Sequence, residues 1–341
     1  MTTPGAPLLA ADRQHLVAHT APLWRAMAGA RLFITGGSGF WGRWLLEAIA
    51  AANDELGVAI TATVLSRQPG HFAAEIARLA CRPEFAWLEG DAASFAFPDQ
   101  PHDYVFHLAT APAAVLSAGD PALAMKMLAG TQRVLQFARE RGARRLLLAS
   151  SGAVYGRLPT APAALVEDCC YAPNPLAPAS AYGEIKRMSE LMCVLTPAVE
   201  CVIARGFAFL GPHLPLTDKF AVGSFLRDAL AGVPIRIHGT GRPLRSYLYA
   251  ADLVIWLLTI LLRGGAGRAY NVGSDEVVSL AQLASEIAQV AGGVAPEIAG
   301  QADAGVVDSY LPDIGRARSE LGLSVLIDRQ EAIARTLAWA R

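Results

Sequence analysis

The sequence predicts an α/β protein, a doubly wound parallel sheet with a smaller, mostly C-terminal lobe. Three observations predict it. First, Leu32, Phe33 and Ile34 form a short apolar run ending in Thr35-Gly36-Gly37-Ser38-Gly39. Trp41, Trp44, Leu45, Ala48 and Ile49 then recur at helical spacing, so that strand, tight loop and helix follow one another. Second, β-rich and helical runs alternate over about 150 residues, which implies βαβ units and a parallel sheet covered on both faces. Third, the last third of the chain loses this clean alternation and reads as a partly helical lobe.

Each element has its own reason. Residues 1–29 lack a continuous apolar segment and carry Asp12 beside few basic residues, so neither a signal nor a transit peptide is expected. His15, Leu16, Leu23, Trp24 and Met27 predict instead a helix laid on the surface ahead of the first strand. In the loop after that strand, glycines let the backbone turn sharply and approach a ligand. The next helix offers free N–H groups and its positive dipole end to a pyrophosphate, although the same glycines would serve a plain turn. Residues 59–65 form a second strand, stopped at Ser66-Arg67-Gln68-Pro69. Residues 71–80 read as helix, 85–88 as a strand ending in Gly90-Asp91, and 104–109 as the next strand. A helix opened by Pro121 runs to Arg141-Gly142, and 145–150 follows as a strand. The crossovers should be right-handed.

The Pro-rich stretch 158–178 reads either as a wall of the ligand crevice, since loops leaving the carboxyl ends of strands line it, or as a surface connection. A helix over 181–195, a strand over 201–204 and another at Ala269–Val272 complete the pattern. The longest apolar run, 253–262, is about half the ~20 residues that span a membrane and reads as a buried helix.

Composition narrows the function. The 341 residues are 53% hydrophobic and 17% charged, with a net charge of -1, enough for a large core or for one major domain plus a smaller one. Phosphate contacts to nucleic acid need clustered Lys and Arg, and no such cluster exists. The five cysteines, Cys81, Cys169, Cys170, Cys193 and Cys201, are odd in number and lack metal-ligand spacing, so no metal site is expected. The vicinal pair reads as small hydrophobes, and a reducing, cytoplasmic compartment is expected.

Three positions carry chemistry together: Ser151 in Ser150-Ser151-Gly152-Ala153-Val154-Tyr155-Gly156, and Tyr182 and Lys186 four residues apart. On a helix the last two share one face. A neighbouring ammonium favours phenolate, and moving a tyrosine from its usual ~10 toward neutrality takes about 4 kcal/mol of differential stabilisation. Such a phenol exchanges a proton with a sugar or alcohol oxygen near neutral pH. A serine at the end of the preceding strand can hold that oxygen. Taken alone, the Tyr–Lys spacing is common on solvated helix faces; the strand-ending serines and the glycine loop, in this order, make it informative.

With these residues in place, the chain resembles the extended short-chain dehydrogenase/reductase family, in particular its nucleotide-sugar epimerases, dehydratases and ketoreductases, over about residues 30 to 320. The recurring features are TGxxGxxG from Thr35 to Gly42, Gly90-Asp91, His107-Leu-Ala-Thr110, Ser150-Ser151 with Tyr155-Gly156, and Tyr182 with Lys186. Arg205 with Gly211-Pro212, Arg245 to Asp252, and Tyr270-Asn-Val-Gly273 follow. The resemblance implies a Rossmann domain over 30–205 and a mainly substrate-binding lobe over 206–341, with segments around 247–273 returning to the first. It implies that Gly36, Gly39 and Gly42 line a pyrophosphate, that Asp91 meets adenine, and that Ala109 and Thr110 border the cofactor crevice. Phe40 and Trp41 count among the cofactor-binding residues of the loop, although Trp41 and Trp44 read most simply as core. Tyr182 would be the acid/base, Lys186 its partner and a ribose ligand, and Ser151 the clamp on the substrate oxygen. Gly152 and Phe207 would also border the substrate, and Arg245 would hold its phosphate, which suits a bidentate guanidinium. A homodimer through the 121–141 and 181–195 helices is implied as well.

Departures from the family pattern bear on the reaction. Members that use NAD usually end the second strand in Asp or Glu; Ser66-Arg67 stands there, which favours NADP over NAD because Ser and Arg can bind a 2′-phosphate. The acid pair that 4,6-dehydratases carry after the strand-end hydroxyl is replaced by Gly152 and Ala153. Ala208 and Met127 replace two common asparagines, and no Arg-Pro-Gly-Asp stretch precedes Tyr310-Leu-Pro-Asp313, so the nucleotide base stays open. His213 either reaches substrate or is structural. The expected activity is NAD(P)-dependent oxidoreduction at C4 of a nucleotide-diphosphate sugar, as a 4-epimerase or a 4-ketoreductase. The alternatives are an atypical dehydratase or decarboxylase, and a non-catalytic dinucleotide sensor.

Overall fold

Seven parallel strands form one sheet, β1 (Arg31–Thr35), β2 (Thr61–Ser66), β3 (Phe85–Glu89), β4 (Tyr104–His107), β5 (Arg145–Ser151), β6 (Glu200–Gly206) and β7 (Ala269–Val272). In space they run β7-β6-β5-β4-β1-β2-β3. The structure is a computed structural model that describes residues 6–70, 77–156, 164–218, 220–300 and 307–341. In β1 the side chains alternate between faces. Leu32 and Ile34 join one apolar cluster with Trp44 and Leu45, while Phe33 joins the other with Val134 and Phe137. A strand buried on both faces is near-continuously apolar, which is why the run 32–34 was readable.

Helices α1 (Ala10–Ala26), α2 (Phe40–Leu56), α3 (Pro121–Glu140), α4 (Ala181–Val194) and α5 (Ala250–Arg263) do the covering. α3 and α4 pack together over β4, β5 and β6, and α2 and α5 pack together on the opposite face. Pro121 opens α3 behind Asp120, whose carboxylate accepts from the Ala122 and Leu123 N–H groups, an N-cap with proline in the first turn. α2 ends on Gly57 at φ +63°, a left-handed C-cap that favours glycine. α5, from the longest apolar run, is buried all round. No helix among the described residues is long and apolar enough to cross a membrane.

Boundaries moved by one to three residues. β4 stops at His107 rather than 109, and β6 runs from Glu200 to Gly206. Of the helix expected over 71–80, Ala77–Ala80 is helical and residues 71–76 lie outside the described residues. α1 is docked rather than merely laid on the surface: Leu16, Leu23 and Trp24 are buried against α2 and α5. Beyond β6 the chain forms two- and three-stranded ribbons. One places Leu244–Arg245 between Val278–Ser279 and Ser309–Tyr310.

Candidate active site

The neighbours of β1 are β2 on one side and β4 on the other, so chain order reverses there. In open α/β sheets the ligand crevice forms at that point, beyond the carboxyl ends of the strands. The loop after β1 is built to let something close. Gly36 has φ +74°, and a Cβ on it would stand 2.6 Å from the Ala109 nitrogen; one on Gly42 would overlap the Gly36 oxygen and Gly37. α2 begins at Gly39 with no side-chain cap, leaving first-turn N–H groups to a ligand. These features fit a dinucleotide pyrophosphate. Phe40 and Trp41 pack on Phe209, and Trp41 also fills the space beside Gly206.

Both strand ends are locked by a relay absent from the sequence reading. The Ala109 N–H donates to Thr35 Oγ1 at 3.1 Å, and Thr35 Oγ1 lies 2.8 Å from His107 Nδ1. His107 Nε2 reaches Thr131 Oγ1 at 3.3 Å, and Thr131 donates in turn to the Met127 carbonyl. Thr35, already an acceptor, has its proton free for Nδ1, so Nε2 carries the imidazole proton. Burial, with Lys186 adding to it, pushes His107 down to about 3. It is a neutral tie between β1, β4 and α3.

At the adenine end, Ser66 is buried and accepts from the Gln68 N–H, while Arg67 is exposed. Asp91 accepts from the Ala93 N–H and pairs with Lys126 at 2.9 Å. Burial raises its pKa, but Lys126 and Ala93 outweigh that and hold it below the ordinary carboxylate value.

The predicted trio converges at the end of β5. Ser151 Oγ accepts from the Ala153 N–H at 3.1 Å, and Ser151 and Thr110 both lie near enough to Tyr182 to favour its phenolate. Lys186 is buried, donates to the Ala149 carbonyl at 2.7 Å and lies 5.8 Å from the Tyr182 ring centre. Burial lowers Lys186 to about 8, with Glu190 opposing. The expected depression of Tyr182 does not appear in the chain by itself. Burial raises it, and Ser151 and Thr110 only partly oppose, while the Lys186 ammonium is spent on the Ala149 carbonyl.

Substrate-side residues cluster around Gly152. A Cβ there would stand 2.7 Å from Tyr310 Oη and 2.8 Å from the Phe207 ring, and those two rings lie 4.6 Å apart. Tyr310 Oη is 3.3 Å from Ser151 Oγ. Arg245 is paired with Asp308 at 2.7 Å on the adjoining ribbon, so its guanidinium is presented already occupied. His213 packs its ring on Trp339 at φ +69°, beside the C-terminal helix, which fits the structural reading.

Beneath the site lies a buried polar network that no spacing announced. Glu190 accepts from Ser150 and from Arg205 Nε and Nη2. Arg205 also donates to Tyr155 Oη and to the Glu167 carbonyl, both at 3.0 Å. Tyr155 donates to Asn271 at 2.7 Å, and Asn271 donates to the Leu165 and Asp313 carbonyls. In the Pro-rich stretch, then, Leu165 and Glu167 are buried and tied into this network, whereas 170–172 and 174–176 are exposed; 157–163 lie outside the described residues.

Known proteins resemble this chain over most of its length. The chain is 29% identical over 317 residues to UDP-glucuronic acid decarboxylase 1 of Xenopus tropicalis, covering 91% of this chain and 72% of that protein. It is 26% identical to a dTDP-glucose 4,6-dehydratase of an Actinoplanes strain, covering 91% and 98%. The UDP-glucuronic acid 4-epimerase of Bacillus cereus, solved with UDP-glucuronic acid and NAD, superposes with a TM-score of 0.75 at 21% identity, covering 91% of this chain and 98% of that one. The family model for NAD-dependent epimerases/dehydratases matches residues 32–273. With glycine loop, strand-end serine and Tyr–Lys pair all inside or bounded by that match, the chain belongs to the NAD-dependent epimerase/dehydratase family.

Proposed function

We propose that the chain is a nicotinamide-dinucleotide-dependent oxidoreductase acting at C4 of a nucleotide-diphosphate sugar, as a 4-epimerase or a 4-ketoreductase. One observation carries this reading: Ser151 and Tyr182 meet beside the glycine loop, while the space at Gly152 is closed by Tyr310 and Phe207. When bound, the dinucleotide supplies hydride exchange at its nicotinamide ring. Tyr182 takes the sugar O4 proton and returns it, Ser151 holds O4, and Lys186 keeps a positive charge under the phenol. Arg245, released from Asp308, would grip the diphosphate. Elimination of water needs a carboxylic acid and a base next to Ser151, and Gly152 and Ala153 supply neither.

An exposed Arg67, with no carboxylate at 66 or 67, supports NADP(H) as the form used. The outer faces of α3 and α4 carry exposed Met125, Met188, Leu191 and Val194. Beside them runs a groove of about 810 Å³ bordered by Arg187, Leu191 and Arg205. These faces support a homodimer.

Decarboxylation is the second reading, favoured by the 29% identity to the Xenopus enzyme. Oxidation at C4 of a 6-carboxylate sugar makes a β-keto acid, whose loss of CO2 needs no carboxylate at 152 or 153. Incubation with UDP-glucose, UDP-glucuronic acid and a 4-keto-6-deoxy nucleotide sugar separates the readings by epimer, CO2 and NADPH consumption. The expected result is an epimer or NADPH oxidation, abolished by Tyr182→Phe with dinucleotide binding retained. Turnover surviving in Tyr182→Phe overturns the acid/base role; CO2 as the sole signal replaces the C4 epimerase/reductase reading by the second one.

A further inference from the structure

Tyr310 lies 159 positions from Ser151 in the chain, yet its hydroxyl stands 3.3 Å from Ser151 Oγ and 3.3 Å from the Gly206 carbonyl. It is not free to wander. Its ring packs at a tilt against Phe207, and the following residues are pinned to the Leu165 segment by Leu165 N–H to the Leu311 carbonyl at 2.9 Å and Asp313 N–H to the Leu165 carbonyl at 2.8 Å. Only the absence of a side chain at Gly152 admits the hydroxyl, since a Cβ would stand 2.7 Å from it.

Hydrogen-bond accounting then sets a direction. A carbonyl only accepts, so the single Tyr310 proton serves Gly206, and the Ser151–Tyr310 bond must use the Ser151 proton. Ser151 already accepts from the Ala153 N–H, which leaves its oxygen one lone pair and no second proton. While Tyr310 holds its proton, Ser151 can act toward Tyr182 only as an acceptor and cannot donate to its phenolate. For the Tyr182 phenolate to be stabilised, Ser151 must swing that proton across and give up Tyr310.

Resting on the acid/base reading of Tyr182 above, we propose that Tyr310 is a positioning residue that fixes the direction of the Ser151 hydroxyl and thereby sets the proton affinity of Tyr182. The groups facing Tyr310 are Ser151, Tyr182, Tyr155 and Arg245; those facing Tyr182 are Ser151, Thr110, Lys186 and Tyr310. Tyr310 itself stays protonated, since burial drives its phenol far up. Its influence on Tyr182 therefore runs through Ser151 and not through a charge of its own.

Tyrosinate absorbance followed against pH tests this without any substrate. The difference between wild type and Tyr182→Phe isolates the Tyr182 step, and the same difference is taken in Tyr310→Phe, which keeps the ring and removes only the hydroxyl. The step is expected to move down by about half a pH unit or more, because the freed Ser151 proton can then serve the phenolate. Gly152→Ala, which displaces the Tyr310 hydroxyl by a different route, should move it the same way. In a Ser151→Ala background Tyr310→Phe should move nothing. A Tyr182 step left in place or raised by Tyr310→Phe overturns the proposal, as does a downward shift that persists without Ser151. A wild-type curve that still shows no Tyr182-dependent step with NADP+ bound overturns the acid/base reading and the proposal with it.

Discussion

Burial holds Lys186 at about 8 against an ordinary 10.5, so keeping it charged at neutral pH costs the fold on the order of 3 kcal/mol at about 1.4 kcal/mol per pH unit. The sign follows from proton counting. Between those two values the unfolded chain binds more protons than the folded one, so stability rises with pH across the window, and the penalty is present in full below about 8. Lys186→Met removes the penalty but leaves the Ala149 carbonyl without its donor, a loss of about 1–2 kcal/mol. The variant is therefore expected to be inactive yet more stable than wild type by about 1–2 kcal/mol at pH 7. The advantage should shrink at pH 9.5. Urea unfolding at both pH values checks this, and a variant less stable than wild type at pH 7 would show that the ammonium is a net support.

Among the elements, β5, β6, α4 and the 164–168 segment meet at Arg205, whose guanidinium is shared by Glu190, Tyr155 and the Glu167 carbonyl. Removing one member of a buried pair strands the other. Arg205→Met is expected to cost about 3–5 kcal/mol, and the double variant with Glu190→Leu to recover at least half of it. Equilibrium unfolding of the two variants decides, and a double variant no better than the single would mean that the pair is not the source of the loss. How much of this was legible follows from distance along the chain. The β1–α2 unit and the Tyr182–Lys186 spacing were readable because a strand's apolar run and a helix turn are local patterns. Tyr310 was not, because a two-residue strand with no periodicity carries it to Ser151. Nor could the Tyr155–Asn271 bond, spanning 116 positions, be read from motifs that contain both residues. The direction of the Tyr182 shift was missed for another reason: spacing reports a neighbouring charge but not the burial that competes with it.

At the scale of the whole molecule, the two ends of the chain close over the same helix. Asp12 of α1 is fully buried and accepts from Tyr249 Oη at 2.8 Å and from Arg335 at 2.9 Å. His15 meets Asp252 at 2.9 Å, and the same Asp252 accepts the Leu326 and Ile327 N–H groups. Trp339 donates to the Pro7 carbonyl. These contacts fasten α1 and the C-terminal helix Arg329–Ala340 to the start of α5 at Ala250, five residues after Arg245. Burial raises the Asp12 pKa while Tyr249 and Arg335 oppose it, the pattern of an acid that depends on its partners. Asp12→Ala leaves the buried Tyr249 phenol without its acceptor and Arg335 with Glu331 alone, and is expected to lower unfolding stability by about 3 kcal/mol. Because Arg13, next to Asp12, pairs with Asp54 and Glu55 at the C-terminal end of α2, the end opposite the glycine loop, dinucleotide affinity at 25 °C should change less than about twofold, under 0.5 kcal/mol. Urea unfolding paired with a fluorescence titration of NADPH separates the two effects. A stable variant with weakened dinucleotide binding would place the N-terminal helix in the service of the site instead of the scaffold.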